Sequence, residues 1–537
     1  MKRITTLLLM LAGLTTSAQE LNYMPGEILV QLAPSYSAEQ LSLESSQVAI
    51  IGQKKVSDFM NIHLLTIDRN LLSETDAIAE LYKNDQVRIA QLNHKVTLRS
   101  VTPDDPLFDN QWQYYQENDK DIDADEAWEI STGGETLNGD IIVAGVVDDG
   151  YNINHPDLNE NLFINTKEIP DNDIDDDNNG YIDDVNGWNA YDSSGDLEVL
   201  SHGTAVYGII GAKGNNGVGV TGVNWDVKVM PISGSSGNES VVLEAYSYIL
   251  ESRVLYNETD GAEGAFVVAT NASFGIDFGQ PEDSPLWCEM YDTLGQNGIL
   301  STGATINGNF DVDEVGDVPT ACPSEYLIAV TNTNQNDVKV TQAGYGAETI
   351  DLGAPGQGTF TVTTNNYGGF GGTSGATPHV TGTIALLYSA PCQTLADLAM
   401  DNPELATRIV RDLVLENVDP NESLEGITTT GGRLNVNNSM VALMDACDTL
   451  LGLEDQLPGE ENVLVYPNPA RTEITILNPD NRAINSVEIY TLDGKKLETL
   501  NLVGQRVNVS SLSAGTYVLR IQLAGSSNPI HKMIVKQ

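Results

Sequence analysis

The chain is 537 residues long and 41% hydrophobic, which allows about three or four domains with apolar cores. Its formal net charge is −50 and its 26 Lys and Arg residues are spread along the chain, so we expect no nucleic-acid partner. No segment approaches the about 20 consecutive apolar residues of a membrane-spanning helix, so we expect no integral membrane segment.

Residues 1–18 have the three parts of a secretory signal peptide. A basic start, Met1–Arg3, precedes a mostly apolar segment at 7–14, and small residues at 16–18 allow cleavage after Ala18. The sequence therefore predicts an exported protein.

Residues 22–100 have the pattern of a small, separate α+β domain. Alternating apolar residues predict strands at 25–32, 63–67 and 87–98, and helical spacing predicts a helix at 73–83.

A continuous apolar run at 141–147 ends at Asp148, which is typical of a buried parallel strand. Further strands are expected at 227–232, 266–274 and 326–330, with a helix at 241–255 among them. Strands that alternate with helices predict an α/β fold with a doubly wound parallel sheet. Ligands and catalytic groups gather at the carboxyl ends of such strands, where Asp148 lies.

An acidic segment at 171–184 follows, and its alternating oxygen-bearing side chains are typical of a Ca²⁺ loop in which Gly180 permits a sharp turn. The candidate ligands are Asp175, Asp177, Asn179, the carbonyl of Tyr181, and Asp183. Asn186 holds the place of the terminal Glu of an EF-hand, so we expect a structural calcium loop of another kind. The alternative is an acidic, disordered surface loop. No organic cofactor is expected.

His202 lies between small residues at the start of an apolar helical stretch, and Ser374 lies within a run of small residues at 371–380. A helix is expected to follow, with Pro378 in its first turn, where no amide donor is needed. A nucleophilic serine requires a base and a carboxylate that orients this base. Asp148, His202 and Ser374 supply these groups, although the segment around Ser374 alone would also suit a glycine-rich loop that caps a helix.

These motifs resemble those of the subtilisin (subtilase) family of serine proteases, which has the same triad order. The resemblance covers roughly residues 102–449 and rests on 147–150, 202–204, 271–275 and 372–380. It implies an endopeptidase that cleaves proteins or peptides through an acyl-enzyme intermediate, with Asp148, His202 and Ser374 as the triad. It also implies that Ser273, Phe274 and Gly275 pair with the substrate backbone.

The same resemblance implies that 22–100 is an inhibitory pro-segment, removed by cleavage near 95–102. The alternative is an accessory domain. An aspartate, Asp149, stands where the family usually has Thr or Ser, and its charge is expected to raise the pKa of the neighbouring carboxyl.

The oxyanion donor is a second departure from the family pattern. Direct alignment puts Thr305 where the family usually has Asn, and Asn307 follows two residues later. Either side chain can donate a hydrogen bond, and we favour Asn307. The missing Asn also motivates a different reading, in which the chain is a catalytically impaired subtilase-like protein for surface binding or adhesion.

The four cysteines all lie in the 102–449 segment, and an exported protein can keep disulfides. Three pairings are open, of which we expect Cys288–Cys322 with Cys392–Cys447.

Residues 450–462 are a linker, and short alternating strands at 463–537 predict a small β-sandwich. The motifs at 466–469 and 514–517 resemble the C-terminal sorting domain of type IX secretion. That resemblance implies type IX machinery as a partner, passage through an outer-membrane channel, and release or surface attachment. A carbohydrate- or protein-binding sandwich is the alternative.

Overall fold

The computed structural model describes residues 23–34, 36–44, 46–94, 101–454, 463–466, 470, 472–477, 482–491, 495–513, 515–524 and 529–536. The expected signal peptide, residues 95–100 of the expected processing region and residues 455–462 of the linker lie outside this described part.

The chain divides into two compact units, Met1–Arg99 and Ser100–Gln537. The first contains β1 (Tyr23–Leu32), α1 (Ala38–Glu44), β2 (Ile50–Ser57), β3 (Ile62–Ile67), α2 (Glu74–Leu81) and β4 (Val87–His94). Its strands form an antiparallel sheet in the order β2-β3-β1-β4. The hydroxyl of Ser73 accepts from the Asp76 amide and so caps α2. The expected α+β character is present, but α1 and the mostly exposed β2 were not predicted.

Most elements of the second unit lie between residues 124 and 454, the region that contains Asp148, His202 and Ser374. They are α3 (Ala124–Ala127), β5 (Val143–Asp148), β6 (Trp188–Asn189), α4 (Ser201–Gly211), β7 (Lys228–Ser233), α5 (Glu239–Glu258), β8 (Val267–Ala272), β9 (Ile276–Asp277), α6 (Pro285–Gln296), β10 (Leu300–Ala304), α7 (Val312–Val315), β11 (Asp317–Val318), β12 (Leu327–Asn334), β13 (Leu352–Gln357), β14 (Thr359–Val362), β15 (Tyr367–Phe370), α8 (Thr373–Leu387), α9 (Gln393–Asp401), α10 (Pro403–Glu416), β16 (Asp419–Pro420), β17 (Gly432–Arg433) and α11 (Val436–Glu454).

A nine-stranded sheet organises this region, with the strand order β16-β17-β13-β12-β10-β8-β5-β7-β6. Every neighbouring pair is parallel except β16 with β17. The doubly wound α/β prediction is therefore confirmed. Strands β5, β8 and β10 are buried along their whole length, so their near-continuous apolar or small composition follows from cover on both faces.

Helix α8 is the most deeply buried helix among those the structure describes, because every residue from Thr373 to Leu387 is buried. It packs against α4 and against the central strands β8, β10, β12 and β13. Gly372 precedes it with a φ of +82°, a conformation that side chains disfavour, and so allows the chain to turn sharply from β15 into the helix.

Two four-stranded antiparallel sheets form the C-terminal region, as the β-sandwich prediction expected. The strands are β18 (Leu464–Tyr466), β19 (Glu473–Leu477), β20 (Ile484–Thr491), β21 (Lys496–Leu500), β22 (Leu502–Val503), β23 (Arg506–Asn508), β24 (Gly515–Leu523) and β25 (Ile530–Lys536). The orders are β18-β19-β23-β22 and β21-β20-β24-β25, and side chains from both sheets share one apolar cluster.

Two disulfides join Cys288 to Cys322 and Cys392 to Cys447, which is the expected pairing. Within the described residues, none of the helices has both the length and the apolar character needed to traverse a bilayer.

Candidate active site

Asp148 and His202 form a hydrogen-bonded pair although 54 positions separate them along the chain. Asp148 is the last residue of β5 and is 1% exposed, and His202 is the second residue of α4. Their Nδ1 and Oδ1 atoms are 2.7 Å apart. A ring whose Nδ1 faces a carboxylate keeps Nε2 for proton transfer on its other side.

The close approach of α4 to the end of β5 depends on Gly203. A Cβ atom at this position would lie 2.5 Å from the carbonyl oxygen of Gly150 and 3.0 Å from the Cβ of Asp148. The amide of Gly203 donates to Asp149 Oδ1 at 3.0 Å, so a carboxylate also lies at the positive end of α4. Glycine at 203 therefore lets the helix present His202 to Asp148.

The pair has a protonation balance suited to a base. Burial alone lowers the pKa of His202, but the hydrogen bond and charge of Asp148, with a smaller contribution from Asp149, leave this pKa above its ordinary value of 6.5. Burial raises the pKa of Asp148, and the charge of Asp149 acts in the same direction, as expected from the sequence. Neutral His202 is therefore the dominant form only above pH 6.5.

Ser374 is the second residue of α8, and it exchanges two hydrogen bonds with Ser273, the residue that follows β8. The Ser374 hydroxyl donates to the carbonyl oxygen of Ser273 at 3.3 Å, and the Ser273 hydroxyl donates to the carbonyl oxygen of Ser374 at 3.2 Å. None of the hydrogen bonds among the described residues joins Ser374 to His202. The ring of Phe370 contacts the His202 imidazole edge-on, with 5.3 Å between the ring centroids.

Pro378 lies six positions into α8 rather than in its first turn, so the expectation of a first-turn proline is wrong. A proline at this depth cannot donate to the carbonyl four residues earlier, which is that of Ser374. That carbonyl instead accepts from Ser273. The proline thus leaves an acceptor free, and the hydroxyl of Ser273, the residue after β8, satisfies it.

The two candidates for the oxyanion donor have different partners. Thr305 is 2% exposed, and its hydroxyl donates to Asp317 Oδ2 at 3.0 Å. Asn307 is exposed, and its Oδ1 accepts from the amide and the hydroxyl of Thr373 at 3.1 and 3.2 Å. These bonds orient the Asn307 amide, and its Nδ2 has no hydrogen-bond partner within the described residues. Asn307 therefore has a free donor beside the start of α8, whereas the Thr305 hydroxyl is occupied.

A pocket opens beside Ser374, and both oxyanion candidates and the three expected substrate-binding residues line it. Its lining is Ser273, Phe274, Gly275, Asp277, Ala304, Thr305, Ile306, Asn307, Asp317, Thr373 and Ser374. Sequence reasoning missed Asp277 and Asp317, since both lie in two-residue strands that have no periodic signal. The pocket therefore brings Ser374 and Asn307 to one cleft.

The acidic loop brings part of the expected calcium set together. Carboxylate oxygens of Asp175 and Asp177 lie within 4.8 Å of one another and of a carboxylate oxygen of Glu168, which the sequence analysis did not include. Gly180 has a φ of +97°, which fits the expected sharp turn. Glu168 precedes the acidic run, so only the fold of the loop reveals it as a neighbour.

The other three candidates have other contacts. Both carboxylate oxygens of Asp183 accept from backbone amides, those of Asn172 and Asp173, so this side chain closes the loop internally. The Asn179 side-chain oxygen accepts from the Tyr181 amide at 2.8 Å. The Tyr181 hydroxyl donates to Glu251. Glu168 and Asp175 also accept from backbone amides, so the feature that distinguishes Glu168, Asp175 and Asp177 is that their carboxylate oxygens lie close enough together for a hard, oxygen-preferring cation.

Several curated proteins are similar in sequence to part of this chain. Subtilisin-like protease 1 of Plasmodium berghei is 27% identical over 323 residues, which is 55% of this chain and 49% of that protein. An extracellular protease of Xanthomonas campestris is 27% identical over 59% of this chain and 53% of its own length. A thermophilic serine proteinase of a Bacillus species is 26% identical over 68% of this chain and 79% of its own length. The chain spans about half the length of the first of these relatives.

Among solved structures, a protease of Pseudoalteromonas arctica is 22% identical with a TM-score of 0.46, and the match covers 64% of this chain and all of that one. A profile for the secretion system C-terminal sorting domain matches residues 464–536, which confirms the resemblance of the tail and a secreted or cell-surface location. The profile of the Subtilase family matches residues 139–439. That match covers more than half of the chain and includes all three residues Asp148, His202 and Ser374, so the protein belongs to the subtilase family.

Proposed function

We propose that the protein is a secreted serine endopeptidase in which Ser374 is the nucleophile, His202 the base and Asp148 the carboxylate that orients the base. The observation that carries this proposal is the 2.7 Å contact between His202 and Asp148, and it is supported by a separate pocket lined by Ser374 and Asn307. A carboxylate-bound imidazole, a hydroxyl at a helix start and a free donor are the parts that acyl transfer requires.

In the proposed reaction, the Ser374 hydroxyl leaves the Ser273 carbonyl and turns to His202 Nε2. Its oxygen bonds to the scissile carbonyl carbon while its proton passes to His202, and Asp148 stabilises the resulting imidazolium. The oxyanion accepts from Asn307 Nδ2 and from the backbone at the start of α8. His202 returns the proton to the leaving amine as the C–N bond breaks, and water then hydrolyses the acyl-serine by the same route.

Labelling by a small neutral fluorophosphonate tests this function. We expect one label per chain, located at Ser374 by mass spectrometry of the digested protein. Because neutral His202 must accept the proton, the labelling rate should rise with pH through the pKa of His202, above 6.5. Absence of the label, or a rate that does not change with pH, would instead favour the catalytically impaired binding or adhesion protein.

Residues 22–100 are proposed to be an inhibitory pro-segment that is removed during maturation. The support is that this region forms its own compact unit with its own apolar core. An intact N-terminus at Gln19 in active, purified enzyme would contradict the pro-segment assignment.

The type IX secretion machinery is the proposed partner of residues 464–536, since the profile match names such a sorting domain.

We propose that Glu168, Asp175 and Asp177 hold a structural Ca²⁺ that stabilises the loop between Asp148 and His202. At calcium concentrations about 100-fold above the dissociation constant, a bound ion stabilises the folded state by about 2.7 kcal/mol. A chelator should therefore lower the melting temperature, and Asp175→Asn should reduce the size of this change.

Asp173→Asn is the matched control, because Asp173 lies in the same loop but outside the acidic group. If the chelator alters neither the melting temperature nor the activity, the calcium assignment is wrong.

A further inference from the structure

The wall of the pocket beside Ser374 contains two carboxylates that the proposed reaction does not use. Strands β9 and β11 form a two-stranded antiparallel sheet in which Asp277 lies directly opposite Asp317. Residues that face each other in such a pair project to the same side. Both line the pocket together with Ser374.

Asp317 is a buried carboxylate with one satisfied oxygen and one open oxygen. It is 1% exposed, and its Oδ2 accepts from the hydroxyls of Thr305 and Thr320 and from the amide of Ile306 at 2.7–3.0 Å. Within the described residues, Oδ1 has no hydrogen-bond partner, and neither Asp317 nor Asp277 takes part in an ion pair. The three donors therefore hold the carboxylate in place while Oδ1 remains available to a ligand in the pocket.

Burial makes the Asp317 carboxyl harder to ionise, but its pKa stays below neutral pH. Burial raises the pKa of Asp317 to about 6, with a smaller contribution from the charge of Asp277, while the three hydrogen bonds act in the opposite direction. Like charges directly opposite each other in a strand pair are destabilising. A buried charge without a cationic partner is also costly, so the pocket has an unmet preference for a cation.

The chemistry of the pocket favours an organic cation over a metal ion. Within the described residues, the groups of three or more His, Cys, Asp or Glu side chains that could hold a metal ion include neither Asp277 nor Asp317. The pocket also adjoins the serine and the strand end at 273–275, where a peptide backbone would lie. A lysine or arginine side chain of a bound substrate can reach a carboxylate from there. A free metal ion has no such link to the bound peptide.

We propose that Asp317 makes this subtilase select a lysine or arginine side chain at the residue whose carbonyl Ser374 attacks, with Asp277 as a second, more exposed contact. This inference rests on the proposed peptidase function. A charge-assisted hydrogen bond to a buried carboxylate discriminates strongly, because a neutral side chain of similar length leaves that carboxylate unpaired.

The test compares kcat/KM for peptides that differ only at this residue, with the full chain expressed and allowed to process itself. The residues to compare are Lys, Arg, Gln, Leu and Glu. We expect Lys or Arg to exceed Gln and Leu by about 10- to 100-fold, the range of a hydrogen bond to a charged group. In Asp317→Asn, which keeps an acceptor for the three donors, the ratio of Lys to Gln should fall by the same factor.

Asp283→Asn is the matched control, since Asp283 is exposed and lies outside the pocket, and its Lys-to-Gln ratio should stay unchanged. Labelling of Ser374 by the neutral fluorophosphonate separates the two proposals. A chain that is labelled and cleaves Gln or Leu peptides as well as Lys or Arg peptides refutes the role of Asp317 alone. A chain that is neither labelled nor active refutes the peptidase function. Should Asp317→Asn fail to fold, the ratios of the unaltered chain still decide the question.

Discussion

Ser374→Ala is expected to lower kcat by about 10⁴- to 10⁶-fold, a size that comes from removal of triad residues in another subtilase. The alanine has no oxygen to bond to the scissile carbonyl, so only the oxyanion donors and substrate binding remain. Kinetics on an unstructured protein substrate measures the loss. The folded state should persist, since the side chain loses only a 3.3 Å bond to Ser273.

Ser236→Ala, an exposed serine outside the pocket, serves as the control and should retain full activity. If the protease processes itself, the Ser374→Ala chain should also retain residues 22–100, which gel electrophoresis and N-terminal sequencing detect. Undiminished activity in Ser374→Ala would exclude the proposed nucleophile.

Asn307→Ala should lower kcat by about 10²- to 10³-fold with little change in KM, the cost typical of losing one oxyanion donor. Asn307→Asp tests the hydrogen bond that Nδ2 donates to the oxyanion separately from the bonds that orient the side chain. An aspartate keeps an acceptor for the amide and hydroxyl of Thr373 but replaces the free Nδ2 with a negative charge. Both variants should therefore be impaired, and steady-state kinetics with a single peptide measures this.

Thr305→Val provides the comparison, because it removes the competing hydroxyl. Since that hydroxyl donates to Asp317, we expect its loss to cost about 1–3 kcal/mol of stability and to change kcat much less than Asn307→Ala does. A Thr305→Val enzyme that loses the larger share of kcat would transfer the oxyanion role to Thr305.

Local sequence was sufficient to predict the secondary-structure elements that depend on neighbouring residues in the chain. The apolar run that ends at Asp148 predicted a buried parallel strand, and the structure has β5 at Val143–Asp148. The apolar stretches that follow His202 and Ser374 predicted helices, and the structure has α4 and α8 there, with each residue second in its helix. Alternation in the tail predicted a sandwich, because side chains on a strand point to opposite faces with a period of two.

The residue at which α8 begins was harder to predict from the sequence. The run around Ser374 contains glycine, alanine and threonine, which show no sharp boundary, and the helix begins earlier than Pro378 would indicate. The consequence involves Ser273, 101 positions away, whose hydroxyl satisfies the carbonyl that the proline leaves free. No local pattern contains that information.

By itself, the sequence determined the family and the sorting-domain tail and supplied the three residues of the proposed triad, since each is encoded in a short contiguous motif or in periodicity. Only the tertiary structure decided which of Thr305 and Asn307 has a free donor, that Glu168 joins Asp175 and Asp177, and that Asp317 faces the pocket beside Ser374. Those outcomes depend on contacts between segments far apart in the chain, whose distances are set by sheet order and loop closure.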